Sequence, residues 1–132
     1  MAKKKTILDL YKMKENGEKA VWITAYDCCF AAYAEKAGMD MILVGDSMGM
    51  IVYGYQGTTP VTMDMCINHC QAVRRGAPNT YIIGDMPFGS YHESVEDAVR
   101  NAVRFIKEAD VDAIKLEGGV SVADKIKAIA QA

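Results

Sequence analysis

The chain has 132 residues, 51% of them hydrophobic and 24% charged, with a formal net charge of -2 at pH 7. That length can bury a core as one globular unit, 1–132, and the near-neutral balance argues against a nucleic-acid partner. Ile7, Leu8, Leu10 and Tyr11 are interrupted by Asp9 and Lys12, so neither a signal peptide nor a membrane span is expected, and the expected compartment is the cytoplasm.

In chain order, the basic run Lys3, Lys4 and Lys5 reads as a solvated terminus. A short amphipathic helix over 6–14 stops at Asn16-Gly17, a C-cap pair, before a strand over 21–26. Asp27 then stands where a helix N-cap belongs, and Phe30, Tyr33, Ala34 and Ala37 form a stripe that Gly38 ends. A second strand, 41–45, opens into a glycine-punctuated loop over 46–60, long enough to be functional. Thr62 caps a helix that runs to Arg74, Arg75 and Gly76, with Pro78 beyond. A third strand, 81–84, precedes the clearest helix, where Val95, Ala98, Val99, Ala102, Val103, Ile106 and Ala109 recur at helical spacing behind a Ser94/Asp97 capping box. A fourth strand, 113–116, leads through Gly118-Gly119 to a last helix, capped by Ser121 and carrying Val122, Ile126 and Ile129.

The result is four βα units behind one helix, an α/β pattern with a parallel sheet. Cys28, Cys29, Cys66 and Cys70 have no disulfide logic, since two are adjacent and two share a helix at i, i+4. Cys66 and Cys70 with His69 lack a fourth zinc ligand and read as helix packing, as the nine methionines read as core filling.

Three acids stand at the carboxyl ends of apolar runs: Asp46, Asp85 and Glu117, spaced 39 and 32 residues apart. That is about one strand plus a crossover helix, so successive parallel strands would carry them to one rim. Strand alternation puts Ala113, Lys115 and Glu117 on one face, Ile42, Val44 and Asp46 on one face, and Ile83 with Asp85. A lysine on a parallel strand is costly unless paired, so Lys115 is expected inside, beside Glu117. Singly, each acid reads rather as an N-cap for its following loop or helix; three in register with an inward lysine reverse that preference in favour of a site. All-carboxylate ligation favours Mg²⁺ or Mn²⁺ over Zn²⁺. Lys115 and Ser47 would then meet a small anionic substrate, such as a 2-oxo acid enolised by the metal, while Gly118-Gly119 before a helix is a weak phosphate signal.

Six stretches carry a family likeness: Ile23-Thr-Ala-Tyr-Asp27, Val44-Gly-Asp-Ser-Met-Gly-Met50, Thr59-Pro-Val-Thr62, Ala72-Val-Arg-Arg-Gly-Ala-Pro78, Gly84-Asp-Met-Pro-Phe88 and Ile114-Lys-Leu-Glu-Gly-Gly119. In this order they resemble the ketopantoate hydroxymethyltransferase family, over nearly the whole chain from Thr6. The resemblance implies a (β/α)₈ TIM barrel of the phosphoenolpyruvate/pyruvate-binding type with an extra N-terminal helix, of which this chain would be the first four βα units. It implies transfer of a hydroxymethyl group from 5,10-methylenetetrahydrofolate to 3-methyl-2-oxobutanoate, giving 2-dehydropantoate for pantothenate biosynthesis through a Mg²⁺-stabilised enolate. Asp46, Asp85 and Glu117 would form the metal site, and Asp46, Ser47, Asp85 and Lys115 would contact the keto acid. Tyr26 and Asp27 also fall in a family stretch, and His69 matches a family histidine that reads as structural.

Barrels of this type run to about 250 residues. The family's general base, a glutamate on a later strand, is therefore expected beyond this chain, which alone would bind the metal and keto acid without turning over. A half barrel exposes edge strands, so a homo-oligomer or assembly with another chain is expected. A weaker reading keeps the site and assigns it to a related lyase or mutase.

Overall fold

The computed structural model describes residues 4–132. Helix α1 (Ile7–Glu15) leads into four strands, β1 (Trp22–Thr24), β2 (Met41–Val44), β3 (Tyr81–Asp85) and β4 (Ala113–Lys115). Between them lie α2 (Cys28–Lys36), the short α3 (Met48–Ile51), α4 (Met63–Gly76) and α5 (Val95–Ala109); a 3₁₀ turn (Val120–Val122) and α6 (Ala123–Gln131) follow β4. The strands pair in the order β1-β2-β3-β4, all parallel. Successive parallel strands need a crossover, and α2, α4 and α5 supply it, α4 packing on α2 and α5, and α5 on α6. No described helix is long and apolar enough to cross a membrane.

Local side-chain chemistry starts these helices. The Asp27 carboxylate accepts from Phe30 N–H (2.9 Å), Thr62 Oγ1 from Met65 N–H (3.3 Å) and Ser94 Oγ from Asp97 N–H (3.0 Å), each satisfying a first-turn donor. Helix α1 ends through Asn16 into Gly17 at φ +71°, a left-handed position that glycine adopts without a Cβ clash. The last helix departs from expectation, for Ser121 makes no cap. Val122 precedes α6 with no side-chain cap bond and is buried against Gly118, where a Cβ would lie 2.6 Å from Val122 Cγ2. Burial of the valine, not the serine hydroxyl, sets how α6 begins.

The core lies between one face of the sheet and the helices: Ile42, Val44 and Ile82 pack with Cys66, Cys70, Val73, Ala98, Ala102 and Phe105, all buried. Two expected stripes are rotated. On α2 the buried residues are Ala31 and Ala34, while Phe30 and Tyr33 are 68% and 66% exposed. The α4 terminus approaches so closely that a Cβ on Gly76 would lie 2.1 Å from the Cys28 carbonyl oxygen and 3.0 Å from Ala31 Cβ, so only small side chains fit the contact. On α5 the buried set is Ala98, Ala102, Phe105 and Ala109, and Val103 and Ile106 are exposed. Phe105, outside the expected stripe, fills the space over Gly84.

The basic N-terminal run is also corrected where it is described, Lys3 lying outside the described residues. Lys4 Nζ sits 2.8 Å from Asp112 Oδ1, and Lys5 pairs with Asp40, whose other oxygen accepts Val21 N–H at 2.7 Å. Both lysines tie the N-terminal segment to the amino ends of β2 and β4.

Candidate active site

In-register pairing places Leu43, Ile83 and Ala113 in one row, and two residues on, Asp85 beside Lys115, on the face opposite Ile42, Val44 and Ile82. Lys115 therefore turns to the open face, as alternation requires, and its Nζ lies 2.7 Å from Asp85 Oδ1 and 3.0 Å from Glu117 Oε1. Asp85 is 3% exposed. Its second oxygen accepts the Asp46 N–H at 3.2 Å, so both carboxylate oxygens have donors.

Asp46 reaches this point by a different route from the one expected. Continued alternation would send it to the helix-covered side with Ile42 and Val44. The strand ends at Val44 instead, and the chain turns at Gly45, whose Cβ would meet Ser47 Oγ at 2.8 Å and Asp85 Oδ2 at 3.6 Å. A residue without a side chain at 45 leaves room for the Ser47 hydroxyl, while its distance to Asp85 is ordinary contact. Glu117 lies beyond the end of β4 with a side chain 73% exposed; its N–H donates to Tyr91 Oη at 3.1 Å, and its carboxylate reaches Asp85 only through Lys115. Among the described residues no three His, Cys, Asp or Glu side chains converge as a metal cluster.

Electrostatics follow from this burial. Removal from water raises the Asp85 carboxyl above its ordinary range, against the opposing hydrogen bond and charge of Lys115 and the Asp46 N–H. Burial works to lower Lys115, but its bonds to Asp85 and Glu117 outweigh that and hold the ammonium charged above its usual range. Behind the acids on α4, burial first and then the charges of Asp85 and Asp46 push the Cys66 thiol up to about 12. Cys66 and Cys70 are free, buried thiols, in keeping with a packing role.

The donor set suits a hard divalent cation: two carboxylates, one of them buried, with a hydroxyl beside them and no thiolate or imidazole at the same point. Asp46 and Asp85 would hold such an ion, which would share with Lys115 the neutralisation of Asp85; Glu117 is bound to Lys115 and exposed.

Three residues at the site carry more than the sequence reading gave them. Tyr26 Oη lies 2.8 Å from Ser47 Oγ, and the Tyr26 carbonyl lies 2.5 Å from His69 Nδ1. Tyr91, buried in the loop after β3, holds the backbone at Glu117. Tyr26 could have been found from its place at a strand end in a family stretch; Tyr91 has no periodic or motif signal. A shallow recess of about 380 Å³, lined by Trp22, Ile83, Ala113, Lys115 and Leu116 among others, adjoins the lysine, while a larger apolar recess of about 500 Å³ lies apart from the acids between α5, β4 and α6.

Known proteins resemble this chain in sequence and in fold. The 3-methyl-2-oxobutanoate hydroxymethyltransferase of Alkaliphilus metalliredigens is 71% identical over 132 residues, all of this chain and 47% of that protein. The one from Ignicoccus hospitalis is 55% identical over 130 residues, covering 98% of this chain and 49% of its own. The chain thus spans about half the length of the curated relatives it matches. Among solved structures, 2,3-dimethylmalate lyase, of the PEP mutase/isocitrate lyase superfamily, superposes with a TM-score of 0.71 at 20% identity, over 94% of this chain and 46% of its own. Oxaloacetate acetylhydrolase bound to oxalate superposes with a TM-score of 0.70 at 16% identity, over 92% and 46%. At that identity the likeness is one of fold, and it identifies the four βα units as part of a TIM barrel. The sequence model of ketopantoate hydroxymethyltransferase matches residues 4–132, so the site's acids, its lysine and the turn between them lie inside the matched span, and the chain belongs to the ketopantoate hydroxymethyltransferase family.

Proposed function

We propose that this chain forms the metal- and keto-acid-binding part of an enzyme that transfers a hydroxymethyl group from 5,10-methylenetetrahydrofolate to 3-methyl-2-oxobutanoate, giving 2-dehydropantoate. The observation that carries the reading is the buried Asp85 carboxylate held between Lys115 Nζ and the Asp46 N–H, beside a hydroxyl and an apolar recess. A Mg²⁺ ion on Asp46 and Asp85 would draw charge from the keto oxygen and acidify the neighbouring C–H. Lys115 supplies a fixed positive charge and Ser47 Oγ a hydroxyl donor for the substrate carboxylate. The recess walled by Trp22, Ile83 and Leu116 accepts the branched hydrocarbon end.

The reaction itself requires C3 to lose its proton and bond to the methylene carbon. Water supplies the hydroxyl, and tetrahydrofolate leaves. The ammonium of Lys115, paired with Asp85 and Glu117, is not free to accept that proton. The acceptor is proposed to be a glutamate from the part of the family barrel that this chain does not span. In support of a binding rather than a complete catalytic unit, β1 and β4 each pair with a single strand among the described residues.

Titration calorimetry tests the reading. The keto acid is expected to bind the chain only with Mg²⁺ present, and Asp85→Ala is expected to abolish that binding. Metal-independent binding, or unchanged affinity in Asp85→Ala, would refute it. Deuterium exchange at C3 is expected to stay at the solvent rate; Mg²⁺-dependent exchange by these residues alone would overturn the assignment of the base.

A further inference from the structure

The imidazole of His69 joins three segments that are far apart in sequence. It stands on α4 among the buried Cys66, Ile67, Cys70 and Val73, which fix that helix against the sheet. Nδ1 lies 2.5 Å from the Tyr26 carbonyl oxygen, 43 residues earlier, and Nε2 lies 2.9 Å from Tyr53 Oη, 16 residues earlier in the loop over 46–60. A carbonyl oxygen only accepts, so Nδ1 carries the proton, and the neutral ring then presents Nε2 as acceptor to the Tyr53 hydroxyl. Both ring nitrogens are used, and one tautomer satisfies both partners.

Each partner leads toward the acids. Tyr26 turns its hydroxyl to Ser47 Oγ at 2.8 Å, the residue next to Asp46. Tyr53 stacks on Tyr55 with ring centroids 5.6 Å apart, and its N–H and that of Tyr55 donate to the Met48 and Gly49 carbonyls, in the segment that follows Ser47. Met48 and Gly49 seat the start of α3 in the core, and beyond them Met50, Ile51, Val52 and Tyr53 are all exposed. His69, on a helix packed against the sheet, therefore adds a side-chain tether to the exposed part of a loop whose ends are held by Met48 and Val61.

We propose that His69 is a positioning residue, whose paired hydrogen bonds to Tyr26 and Tyr53 set the Ser47 hydroxyl and the 46–60 loop relative to Asp46 and Asp85. The proposal deepens the keto-acid reading and rests on it for its effect on binding, though not for its effect on the loop. His69 touches no reacting atom.

Two amide replacements separate the branches. The Asn amide nitrogen falls near the imidazole Nδ1 and keeps the donation to Tyr26; the longer Gln reaches the Nε2 position and keeps the bond to Tyr53. His69→Ala is expected to speed amide exchange at Ile51, Tyr53 and Tyr55 by about tenfold, through loss of the hydrogen bond to Tyr53, and to weaken Mg²⁺-dependent binding of 3-methyl-2-oxobutanoate by a similar factor, through loss of the one to Tyr26. His69→Asn should restore affinity to within about threefold while exchange in the loop stays fast, and His69→Gln should do the reverse. Tyr53→Phe, which removes one oxygen, should copy the loop effect without the affinity effect. Unchanged loop exchange in His69→Ala, or an Asn variant as weak as the Ala variant, would overturn the assignment. Failure of the unaltered chain to bind the keto acid would sink the functional reading instead, and the exchange experiment, which needs no ligand, would still decide the role of His69.

Discussion

Gly84→Ala tests whether the strand that delivers Asp85 is seated by one aromatic ring. A Cβ at 84 would lie 2.6 Å from Phe105 Cδ1 and 3.0 Å from Cε1, where ordinary contact begins near 3.4 Å. The ring must retreat by most of an ångström, yet it is wholly buried among Ala98, Ala102 and their neighbours. Overpacking of this kind costs about 2–3 kcal/mol, which shifts the melting temperature of a chain this size by roughly 10 °C. Phe105→Ala alone costs about 3–5 kcal/mol through the cavity it leaves. In the double variant the added methyl enters that cavity, so the two costs should not add, and the coupling should reach about 2 kcal/mol. Urea unfolding followed by far-ultraviolet circular dichroism on the four chains reads the cycle. Strict additivity would refute the claim that Gly84 is kept small by Phe105.

Other expectations follow from the ion pairs and thiols. Arg74, largely buried, donates to Asp112 Oδ2 at 2.5 Å and to the carbonyls of Asp110 and Thr80, so Arg74→Met should cost about 2 kcal/mol by removing those bonds, while Asp112 keeps Lys4 and the Ile82 N–H; a loss under about 0.5 kcal/mol by the same unfolding assay would show the pair to be incidental. Burial alone would raise Glu35 and Asp40, but the Asn79 and Thr80 donors on Glu35, and Lys5 and Val21 N–H on Asp40, outweigh it and hold both below their ordinary 4.5 and 3.8. Their contribution is complete above those ordinary values and is lost as pH falls through the lowered ones. Melting temperature measured from pH 7 to pH 2 should therefore fall at the acid end, and Glu35→Gln should flatten that fall; an identical profile would remove Glu35 from the account. In the native chain a thiol reagent should modify the exposed Cys28 and Cys29 quickly and leave Cys66 and Cys70 untouched until unfolding, because burial keeps both thiols protonated; four fast thiols would contradict the packing.

Much of this molecule is written locally. Asp27, Thr62 and Ser94 start their helices because a side-chain oxygen needs to reach a donor only three residues away. Period and punctuation likewise place the four strands to within two residues at either end, and simple alternation points Lys115 to the open face, where Asp85 receives it. Whether Asp46, Ser47 and Glu117 bind metal or substrate is carried by likeness to the family, and titration is its test.

What sequence could not settle depends on partners dozens of residues away. The faces that α2 and α5 bury were decided by the Gly76–Cys28 approach and by the gap that Gly84 leaves for Phe105, neither of which has a periodic signature. The basic run became two anchors only because Asp40 and Asp112 stand where it passes. Three acids at strand ends are a pattern along the chain. Their convergence is a matter of where each strand stops: β3 carries Asp85 into its last pair, β2 ends early enough for Gly45 to turn Asp46 over it, and β4 ends before Glu117, which is left outside with Lys115 as its link. Spacing therefore determines which rim the acids share. Strand termination, imposed by packing against the neighbouring strand, determines which of them meet.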